Sequence, residues 1–405
     1  MKATNYFLVF ILILFTISSK LYSQKNYFNS DTEITISLLT YSPGGKLYSA
    51  FGHSALRIID RKNHSDIVYN YGTFHFDQPN FYLRFLQGNL IYSLSVATFE
   101  NVKQSLILEN RSLVETPLNL NNEETSRLIN YLKINMLPDN RNYRYDFLFD
   151  NCSTRILELL EKNTADSLII KPEVLPVKSF RQLIRPYLKN RPWINMGIDL
   201  LMGTQADKTA RMTEPAFLPD FLHLFIKNFQ LEKKGSLHRL ANHDIIHLQN
   251  YQIQSANKLT PSLIFWPIAI LFLISALFDS YFRPFFQQCG NIILFLIGLI
   301  SLLLCFLWIF SDHSIFRNNI DLLWANPLLL LVVFLQIPKF HNRYNNLKKI
   351  FLVFTGIIVG TGILTSLIIE KNFELTSLGI TVLILCVEKT KYFSNSSRSI
   401  NKSRF

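Results

Sequence analysis

Cys152 stands in the run Tyr145-Asp-Phe-Leu-Phe-Asp-Asn-Cys-Ser-Thr-Arg155, and no other cysteine precedes it. The chain's remaining cysteines, Cys289, Cys305 and Cys386, lie in its apolar C-terminal third. Asp150, Asn151, Ser153 and Arg155 flank the thiol, surroundings that suit a nucleophile better than a packing residue. A thiolate nucleophile needs a partner to take up and return a proton. His53, in Phe51-Gly-His-Ser-Ala-Leu-Arg57, is the candidate. The two lie 99 positions apart, so only the fold can bring them together. Tyr69, Asn70, Tyr71 and Thr73 follow on the next stretch, and Asn151 adjoins the cysteine. Among these, Asn70, Tyr71 and Asn151 are the groups to orient the imidazole or hold an oxyanion, and spacing does not choose between them.

A second histidine pair, His243-Asp-Ile-Ile-His247, has the spacing of a zinc protease helix. That chemistry requires Glu after the first His as general base, and Asp stands there instead. A polar helix leading toward the apolar region accounts for the segment, so no metal site is assigned.

The elements that must carry these residues are legible in outline. Glu33–Tyr41 is rich in β-branched residues and ends at the turn Ser42-Pro-Gly-Gly45. His53–Asp60 and Asp66–Phe74 flank a polar loop and read as a hairpin, with Asn89–Phe99 and Arg111–Leu120 as further strands. A helix is expected from Asn121, where Glu124 completes a capping box, to about Met136 before Pro138. Another begins at Asn151 or Cys152 and carries Ile156, Leu157, Leu159 and Leu160 on one side. Cys152 then occupies a helix's first turn, where unpaired N–H groups favour the thiolate. Strands and helices are segregated, so the class is α+β. Phe217–Phe225 is read as core aromatics in preference to a bilayer-surface segment.

Residues 1–23 read as a secretory signal: Lys2, an apolar stretch from Tyr6 to Ile17, then a polar exit. Residues 24–257 are long enough to bury a core of their own. Residues 258–388 hold five apolar stretches: Leu259–Phe278, Gly290–Phe310, Leu322–Pro338, Ile350–Ile369 and Phe373–Val387. A net charge of +12 would suit nucleic acid, but the positions of the charges argue against that partner. Arg283, Lys339, Arg343, Lys348, Lys349 and five residues of the basic tail (389–405) fall on one side of a five-span bundle. Arg317 and Lys371 alone fall on the other. Ten against two places the positive side in the cytoplasm and the N-terminal domain on the outer side of a multi-pass membrane protein.

With those pieces in place, the sequence resembles the Lnb family of bacterial lipoprotein N-acyltransferases, which join a periplasmic domain to a membrane bundle. The carriers are Phe51–Arg57, Tyr69-Asn-Tyr-Gly-Thr-Phe74 with Phe76-Asp-Gln-Pro-Asn-Phe-Tyr82, and Tyr145–Arg155. Gly197-Ile-Asp-Leu-Leu-Met-Gly203 with Ala206-Asp207, Phe217-Leu-Pro219, and the segment from His313 to Pro327 are also similar. The order His, hairpin, Asn-Cys at a helix start further resembles circularly permuted papain-like enzymes such as lecithin retinol acyltransferase.

The resemblance identifies the outer side as the periplasmic side of the inner membrane and implies a two-step acyl transfer without a cofactor. Cys152 would take an acyl chain from a membrane phospholipid and His53 would handle the proton. The α-amine of a diacylglyceryl-modified lipoprotein cysteine would then accept the chain as an amide. His313, Asn318, Asn319 and Asn326 would lie at the outer membrane boundary as headgroup contacts. Competing readings are a papain-like peptidase or amidase acting on cell-wall peptides, a phospholipase releasing the acyl group to water, and a membrane sensor with a structural thiol.

Overall fold

The computed structural model describes residues 33–74, 77, 79–164, 168–169, 177–233, 236–250, 259–278, 283–336, 345–369 and 372–402. The signal-sequence reading of residues 1–23 lies outside them.

Among the described residues, seven strands form one antiparallel sheet in the order β10-β5-β1-β2-β3-β4-β6. They are β1 (Ile34–Tyr41), β2 (His53–Asp60), β3 (Ser65–Thr73), β4 (Ile91–Thr98), β5 (Leu113–Pro117), β6 (Asn142–Arg144) and β10 (Ile245–Leu248). A hairpin of β8 (Gln230–Lys233) and β9 (Ser236–Arg239) pairs with the two-residue β7 (Leu168–Ile169) in a smaller sheet. Helices α1 (Phe81–Gln87) and α2 (Phe99–Leu108) lie between strands of the large sheet. They are followed by α3 (Asn122–Asn135), α4 (Cys152–Asn163), α5 (Phe180–Leu188), α6 (Pro192–Leu201) and α7 (Pro219–Asn228).

Side chains of a strand alternate between faces, and here both faces are covered. Ile36, Leu38, Leu56 and Ile58 pack with Leu128 and Leu132 of α3, Ile156 and Leu160 of α4, and Leu222 and Phe225 of α7. Leu39, Tyr41, Ala55 and Val68 point the other way, onto Phe99 and Leu106 of α2. Phe217, Leu218, Leu222 and Phe225 are buried, so that aromatic run fills the core. The segment expected to be a polar helix before the membrane contains β10 instead, paired with β5 at the sheet's edge. Ile245 and Ile246 are β-branched and sit beside an open edge, which outweighs the helical spacing of the two histidines.

The C-terminal region is helical: α8 (Pro261–Leu277), α9 (Arg283–Phe310), α10 (Leu328–Phe334), α11 (Asn345–Ile369) and α12 (Phe373–Lys402). Among the described residues, α9 and the part of α11 from Asn346 are long and apolar enough to cross a bilayer by themselves. The third apolar stretch does not form one long helix. It opens with a 3-10 turn at Ile320–Leu323, and Asn326-Pro327 delays α10 to Leu328. The last helix runs past the expected Val387, through the basic tail, to Lys402.

The two regions are joined along a seam. The loop between α9 and α10 reaches into the periplasmic domain: Asp312 N–H donates to Gln87 O (2.8 Å) and Ser311 Oγ to Leu86 O (2.6 Å). Arg144 pairs with Asp312 (3.3 Å), and Gly203 N–H donates to Ile315 O (2.7 Å).

Candidate active site

Helix α4 begins at Cys152 because Asn151 caps it. The Asn151 side-chain oxygen accepts from the amides of Ser153 (2.8 Å) and Thr154 (3.0 Å), and the Asn151 backbone N–H donates to Thr154 Oγ1 (2.8 Å). The Asn151 amide group donates to Phe147 O (2.8 Å) and Phe217 O (2.9 Å), fixing the helix start against the core. Asn151 is therefore committed to capping. It has no proton left for an oxyanion, which corrects the expectation from sequence.

The sheet opens where this helix begins. Pairing of β2 with β3 runs from Asp60–Ser65 only to Leu56–Tyr69, and the β3–β4 register shifts between Asn70 and Thr73. Gly72, at φ +89°, turns the backbone in a way an L side chain rarely adopts. A methyl group added there would lie 3.8 Å from Cys152 Cβ. Helix α4 thus seats its N-terminus against parted strands. Ser54 Oγ and Ser153 Oγ share a buried hydrogen bond of 3.0 Å at that contact.

His53 and Cys152 are brought together here. Burial on its own would raise the Cys152 thiol. The charge and hydrogen bonding of His53, the Ser54 amide and the Ser153 hydroxyl outweigh it and bring the pKa down to about 7. The sulfur is 3.9 Å from Ser153 Oγ. Such a thiol is substantially ionised at neutral pH, and an imidazole stands beside it to move protons.

Around this pair the groups differ from those the sequence suggested. Tyr41, opposite His53 in the β1–β2 register, holds its ring 5.2 Å from the imidazole. Its hydroxyl donates to Asn70 Oδ1 at 3.5 Å. Asn70 therefore reaches the histidine's neighbour, and among the described residues no hydrogen bond joins it to His53 itself. Tyr71 is buried in the core, edge-on to Tyr143 (6.4 Å), and does not orient the imidazole. Three buried phenols feel the charge of Cys152: burial pushes Tyr41, Tyr143 and Tyr145 well up, and the nearby thiolate adds to the effect. They are neutral donors at any physiological pH. Sequence reading passed over all three, although the alternation Tyr143-x-Tyr145 directly before the cysteine loop was the available signal.

Three of the four outer residues bond across the seam, and the fourth, Asn326, bonds within its own loop. His313 is buried, with Nε2 2.9 Å from Phe85 O. Asn319 donates to Leu200 O (2.8 Å) and Leu201 O (3.2 Å), and its oxygen caps the turn at Asp321 (2.9 Å). Asn326 is buried and donates to Leu323 O (2.9 Å). Asn318 is exposed at φ +55° and accepts from the Thr204 amide (3.2 Å) through its carbonyl. His313 and Asn319 thus hold the domain to the bundle instead of facing open water, because their polar groups replace solvent at a buried contact. His247 lies on β10 with Nε2 2.6 Å from Glu115 Oε2, in a cluster with Arg57.

Residues 23–186 match the family description Lnb N-terminal periplasmic domain, and residues 252–399 match Lnb transmembrane domain. The chain belongs to the Lnb family. Its N-terminal domain is periplasmic and its C-terminal helices lie in the inner membrane. Lnb membership marks it as a membrane-associated enzyme of lipoprotein modification. Comparison with curated proteins and with solved structures returned no match. The segment Gly197–Gly203 of this Lnb protein, prominent in the sequence, carries Asp199, which is buried between Arg181 and Asn372.

Proposed function

We propose that this Lnb protein is a lipoprotein N-acyltransferase that works through a thioester on Cys152. The juxtaposition of Cys152, at a capped helix start, with His53 carries the reading. In the first half-reaction the Cys152 thiolate attacks an ester carbonyl of a phospholipid. The sulfur–carbon bond forms, the ester carbon–oxygen bond breaks, and protonated His53 gives its proton to the leaving lysophospholipid oxygen. In the second, the α-amine of a diacylglyceryl-cysteine attacks the thioester while His53 takes the amine proton. An amide forms and the thiolate is released. Thioester to amide is downhill, so no nucleotide is consumed.

Two features favour lipid substrates over cell-wall peptides. Asp146, six residues before Cys152, accepts from Ser314 Oγ (3.1 Å) of the loop between α9 and α10, so the cysteine loop is tied to the bundle. Helix α1, held by the same loop, leaves Leu83 and Phe85 exposed, as a surface resting on lipid would. Five spans with the basic loops inside belong to the same proposal.

The test is mass spectrometry of an acceptor lipopeptide incubated with the purified protein in phospholipid vesicles. A mass gain of one acyl chain on the α-amine is expected, lost in Cys152→Ala and in His53→Ala. Full activity of Cys152→Ala ends the thioester mechanism. Cleavage of muropeptides with no acylation would assign the protein to the peptidases.

A further inference from the structure

The Tyr143 hydroxyl is a buried polar group that the mechanism above leaves unused. Tyr143 is only 8 % exposed, and among the described residues its hydroxyl has no hydrogen-bond partner. Such a group costs stability unless it has a use, since burying a donor without a partner forfeits its hydration. Its location suggests one. The space vacated by the missing side chain of Gly72 is bordered on one side by Cys152 Cβ, 3.8 Å from where a methyl would sit. Tyr143 Oη lies 3.9 Å from the same point. A small hollow, large enough for a single heavy atom, thus touches both nucleophile and donor, and the positive φ of Gly72 keeps a side chain out of it.

The surroundings sharpen the donor. Asp150 grips Arg155 through two hydrogen bonds of 2.6 and 2.9 Å. That grip helps hold the guanidinium carbon 3.6 Å from the centre of the Tyr143 ring. A cation over the ring draws electron density from the phenol and makes its O–H a stronger donor. The N-terminal end of α4 adds a positive field from the same side as the sulfur.

We infer that Tyr143 is the oxyanion donor, and that the hollow over Gly72 receives the substrate's carbonyl oxygen when Cys152 attacks. Carbonyl attack moves an electron pair onto that oxygen, and the Tyr143 O–H, unpaired at rest, hydrogen-bonds the resulting anion without transferring its proton. When the tetrahedral adduct collapses, the pair returns to the carbonyl and the leaving oxygen departs. The same donor serves both halves of the reaction. It also explains why the alternation Tyr143-x-Tyr145 places one phenol ahead of the cysteine loop and the next against Tyr92, stacked at 4.3 Å.

The inference rests on the acyl-enzyme reading, and the experiment separates the two. Tyr143→Phe removes only the unpartnered oxygen, so the fold is kept. Acyl-enzyme formation from phospholipid, followed by mass spectrometry of the intact protein, should slow about 10²-fold, the usual loss for one oxyanion donor. Alkylation of Cys152 by iodoacetamide passes through no oxyanion and should stay within about threefold of the native rate. Native acylation rates in Tyr143→Phe would overturn the assignment. An equal fall in alkylation would also overturn it, because Tyr143 would then act by positioning the thiolate. Full acyl transfer by Cys152→Ala would instead remove the parent reading.

Discussion

Ser54 and Ser153 are hydrogen-bonded at 3.0 Å, and each is the chain neighbour of one member of the reactive pair. The bond is buried, and it fixes the start of β2 against the first turn of α4. His53 and Cys152, one residue before each, inherit that alignment. Ser153→Ala takes away the buried partner of Ser54 Oγ, at a cost of about 1–3 kcal/mol, whereas Ser54→Ala leaves Ser153 Oγ its contact with the Cys152 sulfur and should cost less. The double variant, with neither hydroxyl, should cost less than the sum of the two singles. Thermal unfolding in detergent measures this, and strict additivity would mean that the two oxygens do not act as a pair.

The depressed Cys152 thiol predicts a pH profile for its reactivity. Below about pH 7 the sulfur carries its proton and alkylates slowly; above it the thiolate dominates and the rate reaches a plateau. In His53→Ala the lowering charge is gone while burial remains, so the midpoint should move up past the ordinary thiol range. At pH 7 the alkylation rate should fall about tenfold or more. A midpoint that stays near pH 7 in His53→Ala would show that the helix start, and not the imidazole, ionises the sulfur.

How far the sequence carried these conclusions differs by element. Strand β2 begins and ends at His53 and Asp60 as the hairpin reading put it, and both expected helices are present, the first with its expected capping box. Local rules suffice there, because a capping box or a β-branched run specifies its own geometry. The tyrosines near the sulfur were only partly legible. The alternation Tyr143-x-Tyr145 shows in the sequence, but that the Tyr143 hydroxyl comes beside Gly72 and Cys152 is a matter of how the strands part and the chain bends, which spacing does not record. Asn151 misled because a side chain able to donate to an oxyanion is equally able to cap a helix. His313 and Asn319 misled for a related reason. A polar loop beside an apolar stretch reads as a water-facing boundary, whereas here it is sealed under the periplasmic domain.

Gly203 marks a close backbone approach between that domain and the bundle. A methyl group at this position would come within 1.9 Å of Arg317 O, a backbone atom that cannot swing aside. The close approach lets the Gly203 amide donate to Ile315 O and the Thr204 amide to Asn318 O, at 2.7 and 3.2 Å. Gly203→Ala should therefore force the seam apart and destabilise the protein by about 1–3 kcal/mol or more. Limited proteolysis in detergent should then proceed faster at the loop between α9 and α10 than in the native protein. Unchanged proteolysis and melting would show that the seam tolerates displacement.

The second grip between the two regions is electrostatic. Arg181 is 1 % exposed and donates to Asp199 Oδ1 (3.0 Å) and Asp207 Oδ1 (2.8 Å), while Arg185 reaches Asp199 Oδ2 (3.1 Å). Two guanidiniums against two carboxylates leave the cluster neutral, which is how such charges are tolerated away from water. Asn372 joins it from the bundle: its amide donates to Asp199 Oδ2 (2.9 Å), and its oxygen accepts from the amides of Glu374 (3.0 Å) and Leu375 (3.1 Å). Asp199 thus contacts both arginines and also holds the Asn372 side chain that caps α12. Asp199→Ala removes that carboxylate, leaves two guanidiniums against the single charge of Asp207, and should cost about 3–5 kcal/mol. Asn372→Ala keeps the charges balanced and loses the cap and one hydrogen bond, about 1–2 kcal/mol. The melting temperature in detergent should fall in that order, and an Asp199→Ala protein as stable as the native one would refute the cluster's part in holding the two regions together.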